Sequence, residues 1–166
     1  MNIQQELQQL ESKADEKEVV YETMKKKIRK MKHYDVNALM YNAHDEAFAQ
    51  TDCLHCANCC KTIPPLLENE DVRRIAQHLN MKVSDFRKKY MTLDEDGDPV
   101  LNKTPCYFLG KDNKCSIYSI RPKACAEYPF TNYNNTKNVF GMVVLNAAIC
   151  PAVSKVLDIM ERGLND

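Results

Sequence analysis

The sequence has no tryptophan, only four glycines among 166 residues, and no net charge. Loops that cradle nucleotide phosphates are rich in glycine, and the G-x-G-x-x-G, P-loop, G-x-S-x-G and H-E-x-x-H motifs are all missing. Because 23 basic residues balance 23 acidic ones, no overall electrostatic attraction favours nucleic acid or an anionic membrane. We therefore expect neither of these partners, and we assign no catalytic residues.

Long apolar segments are also missing. The N-terminal stretch MNIQQELQQLESKADEKE is polar and lacks the apolar region of a secretory signal. The longest apolar-leaning run, VFGMVVLNAAIC at 139–150, is too short to cross a bilayer. Apolar residues nevertheless make up 44% of the chain, which is typical of a folded globular protein. We expect a soluble protein of the cytoplasm.

Cysteine, in contrast, is abundant, with eight residues. In a reducing cytoplasm this number favours metal binding or redox chemistry over a disulfide framework. Four cysteines stand close together in the segment CLHCANCC, and four more follow at wide intervals. The candidate metal ligands are Cys53, Cys56, Cys59, Cys60, Cys106, Cys115, Cys125 and Cys150. A compact cysteine loop followed by scattered cysteines predicts that distant segments converge on a common centre.

The chemistry of sulfur narrows the choice of metal. Deprotonated thiols are soft ligands that select zinc or iron–sulfur clusters. The C-x-x-C-x-x-C run resembles that of bacterial-type ferredoxins with their 4Fe–4S clusters, and Cys150 precedes a proline as a ferredoxin ligand does. Cys59 and Cys60 are adjacent, so their side chains point in different directions. Two separate metals and one multinuclear cluster are both compatible with this pattern, and the pattern does not pair particular cysteines with either.

The first 32 residues have the periodicity of a long helix. Apolar residues recur in alternating steps of four and three, and Lys17 occupies one position of this heptad seam. The apolar seam positions are Ile3, Leu7, Leu10, Ala14, Tyr21, Met24, Ile28 and Met31. Such a helix either packs on the rest of the chain, which we favour, or forms a coiled-coil contact with a protein partner or a second copy. We interpret the cationic stretch KKKIRKMK at 25–32 as a solvated face.

Shorter elements follow, separated by turn signals. We predict helices over 34–50 (after a bend near 35–37), 68–80, 83–90 with Ser84 as N-cap, 122–128 with Pro122 at the first helical position, and 151–163. We predict extended or strand structure at 63–67, on both sides of a turn at Asp96-Gly97, in a hairpin over 106–118, and at 139–144.

Together these features predict a helix-rich, irregular α+β fold. We expect a small domain organised around a cysteine-ligated metal centre and preceded by an N-terminal helical arm. The arm is placed at residues 1–48 and the metal-binding domain at residues 49–166. Because the local elements are short and the cysteines come from separated segments, metal binding would contribute directly to folding.

Several motifs in the same order resemble the CxxCxxCC cysteine-cluster family, whose label names a zinc- or iron-chelating domain. They are CLHCANCC, TPCYFL, KCSIYSIRPKACAEYPF and a late cysteine, and they span about residues 53–151. The resemblance implies that all eight cysteines bind zinc or iron. Members of the family are also named iron–sulfur oxidoreductases, and a larger flagellin lysine methylase carries a similar cluster.

Three kinds of function are compatible with these residues. The first is a metal-binding protein whose eight thiolates hold zinc or an iron–sulfur cluster in a structural or redox role. The second is an enzyme, either an iron–sulfur oxidoreductase or a methylase-like modifier. The third is a metal-stabilised module that binds another protein. If protein ligands fill every position, a zinc ion would be structural, because catalytic zinc keeps an open position.

Cations are expected near a thiolate cluster, because its excess negative charge needs compensation. Lys61, Arg121 and Lys123 are placed for this role. His55 lies between two cysteines of the loop, but eight cysteines already suffice as ligands. We therefore expect that His55 is not a ligand.

Overall fold

A computed structural model of the chain describes residues 3–165. Over this range the chain is helix-rich with one small antiparallel sheet, which confirms the α+β class. The elements are α1 (Ile3–Glu16), α2 (Glu18–Lys30), α3 (His33–Phe48), α4 (Cys53–Cys56), α5 (Asn58–Thr62), α6 (Asn69–His78), α7 (Val83–Tyr90), β1 (Met91–Leu93), β2 (Pro99–Leu101), a 3-10 helix (Tyr118–Ile120), α8 (Lys123–Glu127), α9 (Thr136–Asn146) and α10 (Pro151–Gly163). Among the described residues, no helix combines the length and the hydropathy needed to cross a bilayer.

The chain divides into two compact units. Unit 1 contains the described residues up to Cys53 and those from Pro129 onward, and unit 2 is the intervening segment Leu54–Tyr128. The C-terminal helices α9 and α10 therefore belong to the same unit as the N-terminal helices. The division into an arm and a domain at residues 48 and 49 stays a prediction.

Unit 1 is held together by the apolar faces of α2, α3, α9 and α10. The second half of the heptad seam, Tyr21, Met24 and Ile28, is buried in this core, so it packs within its own chain. The buried core residues are Tyr21, Met24, Ile28, Val36, Met40, Ala43, Ala47, Val139, Phe140, Val143, Ala147, Val153, Val156, Leu157 and Met160. Helix α10 also packs against α1.

The heptad seam is interrupted at its charged residue. Lys17 lies between α1 and α2, and the chain forms two helices there instead of the one that was predicted. Its Nζ lies 2.6 Å from Asp158 Oδ1 and 2.8 Å from Glu161 Oε2, both on α10. Lys13 Nζ contacts the other carboxylate oxygen of Asp158 at 2.5 Å. Burial alone would lower the pKa of Lys17, but hydrogen bonds to the two carboxylates raise it. The cation in the seam is thus neutralised by acidic side chains of α10.

The segment 139–144 lies within helix α9, so the predicted strand is wrong. Val139, Phe140 and Val143 are buried whereas Leu145 is exposed, which is the spacing of a helix with one apolar face. This face packs against α2, α3 and α10. Burial against three helices outweighs the intrinsic preference of valine for strands, since β-propensity is strongly dependent on context.

Three predicted boundaries shift by a few residues. The break before α3 falls at 31–32 instead of 35–37. Lys82, not Ser84, is the N-cap of α7, because the Lys82 carbonyl accepts the first backbone hydrogen bonds of that helix. Pro122 is the N-cap of α8 and so precedes the first helical position. Helix ends are set by backbone hydrogen bonds that local sequence signals locate only approximately.

Unit 2 has a smaller apolar core beneath α6 and α7. Helix α6 buries Val72, Ile75 and Ala76, as its periodicity predicts. Strands β1 and β2 pair around the predicted turn, where Gly97 adopts a φ of 84° that glycine tolerates without strain. The buried core residues are Leu67, Val72, Ile75, Ala76, Phe86, Leu101, Phe108 and Ile117.

The predicted hairpin over 106–118 is reduced to a single bridge between Leu109 and Cys115. The N–H of Ser116 donates to the carbonyl of Phe108 at 2.8 Å, but no strand is formed on either side within this described segment. The ladder stays short because several of its amides bond to cysteine sulfur atoms instead of to a partner strand.

Candidate metal centre

All eight cysteines lie among the described residues, and no disulfide joins any of them. Unit 1 contains Cys53 and Cys150. Cys53 is exposed, whereas Cys150 is half-buried against the core of unit 1 and directly precedes α10. Unit 2 contains the other six, namely Cys56, Cys59, Cys60, Cys106, Cys115 and Cys125.

The CLHCANCC segment folds as two single-turn helices, α4 and α5, joined by Ala57. Ala57 has φ 49° and ψ 22°, a left-handed conformation that costs a residue other than glycine roughly 1–2 kcal/mol. Such strain persists only where the surrounding structure imposes it, and it is frequent at functional sites. The Nζ of Lys61 donates to the carbonyl of Cys56 at 2.9 Å and closes this loop.

Backbone amides are directed at two of the sulfur atoms in unit 2. The N–H of Phe108 donates to the sulfur of Cys106, and the N–H of Ile117 donates to the sulfur of Cys115. The N–H of Leu109 donates to the carbonyl of Cys106 at 3.1 Å and also interacts with its sulfur. Both cysteines therefore sit at the start of a tight turn that points amides back at their own sulfur. Such hydrogen bonds favour the thiolate form, which is the form that binds metals.

The first cysteine loop is tied directly to the second. The N–H of Cys106 donates to the carbonyl of Cys60 at 2.9 Å. The thiol of Cys59 donates to Cys60 and, with the charge of Lys61, lowers the pKa of Cys60 to about 7 against the opposing effect of burial. The Cys59–Cys60 pair therefore loses a proton more readily than an isolated thiol does.

Cys60 interacts electrostatically with the thiols of Cys106, Cys115 and Cys125. Burial raises the pKa of Cys106 and of Cys115, and the negative charge of Cys60 raises both further. For Cys125, burial is the largest cause and the charges of the other three cysteines add to it, so that its pKa rises to about 12. Four thiols from separate parts of the sequence thus share one electrostatic environment.

The structure brings five of the eight candidate ligands together in this way, Cys59 included. Within residues 3–165, however, no three His, Cys, Asp or Glu side chains are arranged to hold a metal ion as they stand. The sulfur atoms approach one another without closing around a common point. Unit 2 therefore groups these thiols without presenting a formed metal site among the described residues.

Two of the three predicted cations lie beside these thiols. The positive charge of Arg121 lowers the pKa of Cys115 and of Cys125, opposing the larger effect of burial. Lys61 acts in the same direction on Cys60. Lys123, in contrast, forms an ion pair with Glu68 at 3.1 Å.

Arg121 is itself held in place by Tyr118. Its guanidinium carbon lies 4.0 Å from the centre of the Tyr118 ring, and its Nη1 donates to the Tyr118 carbonyl at 2.8 Å. The aromatic ring is 64% exposed, so it is a platform for the cation rather than a core residue. His55, between two cysteines of the loop, is exposed.

An ion pair between the buried Asp71 and the partly exposed Arg74, which no cysteine motif indicates, lies behind this site. Asp71 on α6 is only 2% exposed. Its Oδ1 accepts hydrogen bonds from Arg74 Nη2 at 2.7 Å and from the N–H of Lys123 at 3.1 Å. Its Oδ2 accepts the N–H of Glu68 at 3.0 Å, which completes a capping box at the start of α6.

Arg74 extends the same network to the segment that precedes Cys125. Its Nε donates to the carbonyl of Ile120 at 3.3 Å, and its Nη2 donates to the carbonyl of Arg121 at 2.9 Å. The capping box of Glu68 and Asp71 departs from the usual Ser/Thr-x-x-Glu/Gln signature, whereas the Asp-x-x-Arg spacing indicates a pair on one helix. No local pattern indicates the contacts with residues about fifty positions away.

The donor set fits a thiophilic metal. Burial is the largest cause of the raised pKa of Cys106, Cys115 and Cys125. Repulsion between neighbouring thiolates raises the pKa of each further. A cation among them would offset this repulsion and deprotonate the coordinating thiols. All-sulfur ligation selects zinc or iron–sulfur clusters over magnesium or calcium, which prefer oxygen.

Comparison with known proteins agrees with this chemistry. The CxxCxxCC family, described as a "putative zinc- or iron-chelating domain", matches residues 52–148. An uncharacterized protein of Methanocaldococcus jannaschii is 29% identical over 82 residues, which covers 48% of this chain and 44% of that protein. The chain thus aligns with less than half of that relative's length. No solved structure matches the chain. Because the family match extends over more than half of the sequence, this chain belongs to the CxxCxxCC family.

Proposed function

We propose that this protein binds zinc or an iron–sulfur cluster through its cysteine thiolates, and that the metal stabilises the fold of unit 2. The central ligands in this proposal are Cys60, Cys106, Cys115 and Cys125. The remaining predicted ligands are Cys53, Cys56, Cys59 and Cys150. The observation that carries the proposal is the shared electrostatic environment of four thiols from separate parts of the sequence.

The surroundings of these thiols support metal ligation over simple burial. Cysteine is often buried as a small apolar residue, and such a residue needs no polar partner. Here, amides of Phe108 and Ile117 donate to sulfur, and the cations of Lys61 and Arg121 lie nearby. These groups favour negative charge on sulfur, which a purely apolar role does not require.

The identity of the metal would decide the role of the site. Zinc held by four thiolates has no open position, so it would be structural. An iron–sulfur cluster held by the same ligands would also be able to accept and donate electrons. In both cases binding would be coupled to folding, because the ligands come from separated short elements.

Anaerobic purification followed by elemental analysis tests the proposal. We expect metal in stoichiometric amount, either zinc in a colourless protein or iron with labile sulfide in a brown one. A parallel purification in air tests whether the metal is oxygen-sensitive, because oxygen can destroy a labile iron–sulfur cluster and zinc can then bind the freed thiolates. Protein that contains neither zinc nor iron after anaerobic purification, and takes up neither on reconstitution, would overturn the proposal.

A pair of variants at adjacent positions tests whether a thiol, and not merely its segment of the chain, is needed for metal binding. Cys115→Ser is expected to reduce the metal content, whereas Ser116→Ala, at the exposed adjacent position, is expected to leave it unchanged. An equal metal content in both variants would exclude Cys115 as a ligand.

A further inference from the structure

We propose that Arg74 and its buried partner Asp71 position the metal site by holding the segment 120–123, and through it Cys125. This inference rests on the proposed metal-binding function. Neither residue is a candidate ligand, and nothing in the cysteine pattern of the sequence points to them.

The segment 120–123 is held by the pair at three backbone groups. The carbonyls of Ile120 and Arg121 accept hydrogen bonds from Arg74 at 3.3 and 2.9 Å. The N–H of Lys123 donates to Asp71 at 3.1 Å. Pro122 lies between these anchors and has a restricted φ, so the path of the backbone through the segment is closely defined.

Cys125 lies two residues beyond the last anchor, inside the five-residue helix α8. A helix this short has little stability of its own, so its position depends on the segment that starts it. The N–H of Ala126 donates to the carbonyl of Pro122 at 3.0 Å, which connects the first turn of α8 to the anchored segment. A shift of residues 120–123 would therefore move the sulfur of Cys125.

The burial of Asp71 makes this arrangement rigid. At 2% exposure, the carboxylate has little contact with water, and its oxygens depend on the hydrogen bonds from Arg74, Lys123 and Glu68. Removing one member of a buried, hydrogen-bonded pair leaves the other charge uncompensated. The anchors are thus coupled, and loss of one weakens the others.

Two substitutions test the inference. Arg74→Lys keeps the positive charge but lacks the planar group that serves Asp71 and two carbonyls together. Asp71→Asn keeps the shape but replaces one accepting oxygen with a donor opposite the N–H of Glu68. If Asp71→Asn does not fold, the milder Arg74→Lys carries the test.

Two controls lie on the same helix. Val72→Ala removes buried side-chain volume next to Asp71 and destabilises unit 2, but it keeps the side chains of Asp71 and Arg74 that hydrogen-bond the segment 120–123. Arg73→Lys alters the ion pair with Glu70, which lies on the exposed face of α6. Val72→Ala shows what a general loss of stability does to the site. Arg73→Lys shows what replacing an arginine of α6 by lysine does when that arginine does not contact the segment.

The main readout is residue-resolved alkylation of the zinc-loaded proteins, measured by mass spectrometry. In the wild type, bound metal should protect Cys125, Cys106 and Cys115. In Arg74→Lys and Asp71→Asn, we expect Cys125 to react at least about tenfold faster while the other two stay protected. Competition with a chromogenic chelator should show about 10–100-fold weaker zinc binding in these two variants, the usual cost of altering groups that orient metal ligands.

Each outcome has a distinct meaning. If metal does not protect Cys125 in the wild type, the proposed function fails at this ligand, whatever the variants do. If the wild type is protected and both variants are protected equally well, the positioning inference is overturned. It is also overturned if Val72→Ala exposes Cys125 as much as Arg74→Lys does, because the effect would then be a general loss of stability.

Discussion

Unit 1 and unit 2 are stabilised in different ways. Among the described residues, fifteen buried side chains form the core of unit 1, and eight form the core of unit 2. The helices of unit 1 are long, with sixteen residues in α3 and thirteen in α10. The helices that carry cysteines in unit 2 have five residues in α5 and five in α8. Unit 1 therefore combines a large apolar core with partly buried ion pairs around Asp158, whereas unit 2 combines a smaller core with the Asp71–Arg74 pair and grouped thiols.

This difference indicates where a metal would matter. A domain below about 70–80 residues rarely gains more than about 3–5 kcal/mol from its apolar core, and natural examples add disulfides or a structural metal. No disulfide joins any of the eight described cysteines. The thiols of unit 2 are thus the residues that a metal would use to compensate for the small core.

Metal removal should separate the two units most clearly. We expect chelation to destabilise unit 2 by several kcal/mol, less than the roughly 10–16 kcal/mol contributed by zinc in small zinc-finger peptides. Hydrogen exchange measured by mass spectrometry should show faster exchange across Leu54–Tyr128. Amides of α3 and α10 should remain protected, because the fully buried residues of their core include no candidate ligand and Cys150 lies only at its margin. Equal loss of protection in both units would contradict this division.

A core substitution in unit 1 should have the opposite pattern. Leu157 is fully buried on α10, and Leu157→Ala is expected to lower the free energy of unfolding by about 2–5 kcal/mol without changing the metal content. Urea denaturation measures the first effect and elemental analysis the second. Leu145→Ala is the control, because Leu145 is 73% exposed and its truncation should change little. A metal content that falls with Leu157→Ala would show that unit 1 also supports the site.

Cys60→Ser and Cys53→Ser compare candidate ligands of the two units. The charge of Cys60 raises the pKa of Cys106, Cys115 and Cys125 in unit 2, whereas Cys53 is exposed in unit 1. We expect Cys60→Ser to weaken metal binding by about 100-fold, at the upper end of the cost of altering groups that orient ligands, and Cys53→Ser to weaken it less. Chelator competition gives both values. Equal losses would favour one centre that uses the cysteines of both units alike. Cys59→Ser is also expected to lower the metal content.

The smallest expected effect concerns the ion pairs between α10 and the N-terminal helices. Burial would raise the pKa of Asp158, but hydrogen bonds from Lys13 and Lys17 outweigh it and lower the pKa below 3.8. The carboxylate of Asp158 therefore stabilises unit 1 above about pH 4. This contribution is lost as the pH falls through the lowered pKa that Asp158 has in the folded protein. Asp158→Asn should cost about 1 kcal/mol at pH 7, because partly exposed pairs contribute little each.

The pH dependence provides the check on this last effect. Urea denaturation of the wild type and of Asp158→Asn at pH 7 and near pH 2 should show a difference that shrinks at the lower pH. A difference that is the same at both values would exclude the charge of Asp158 as its source. Metal content should not change, which again distinguishes unit 1 from unit 2.

Much of this arrangement follows from local patterns. Apolar periodicity predicts α6 with its buried Val72 and Ile75, and Pro151 marks the first residue of α10. The Asp96-Gly97 turn follows from the freedom of glycine at positive φ. These features depend on neighbouring residues, so a single sequence contains the information that forms them.

Other features depend on contacts between distant residues. Valine-rich 139–144 becomes part of helix α9 because three helices of unit 1 cover one of its faces. The cysteine spacing predicts that distant cysteines converge on the loop of Cys59 and Cys60, but it does not indicate which of them share its environment, namely Cys106, Cys115 and Cys125. The contact of Arg74 with Ile120 has no local signal at all.

By itself, the sequence determined the helical character of the chain and the thiol chemistry of its candidate site, because both are properties of residue type and short-range spacing. Only the tertiary structure decided which thiols approach one another and which buried charges hold their segments. Those outcomes depend on burial and on hydrogen bonds between residues far apart in the chain, and short-range patterns carry no information about such contacts.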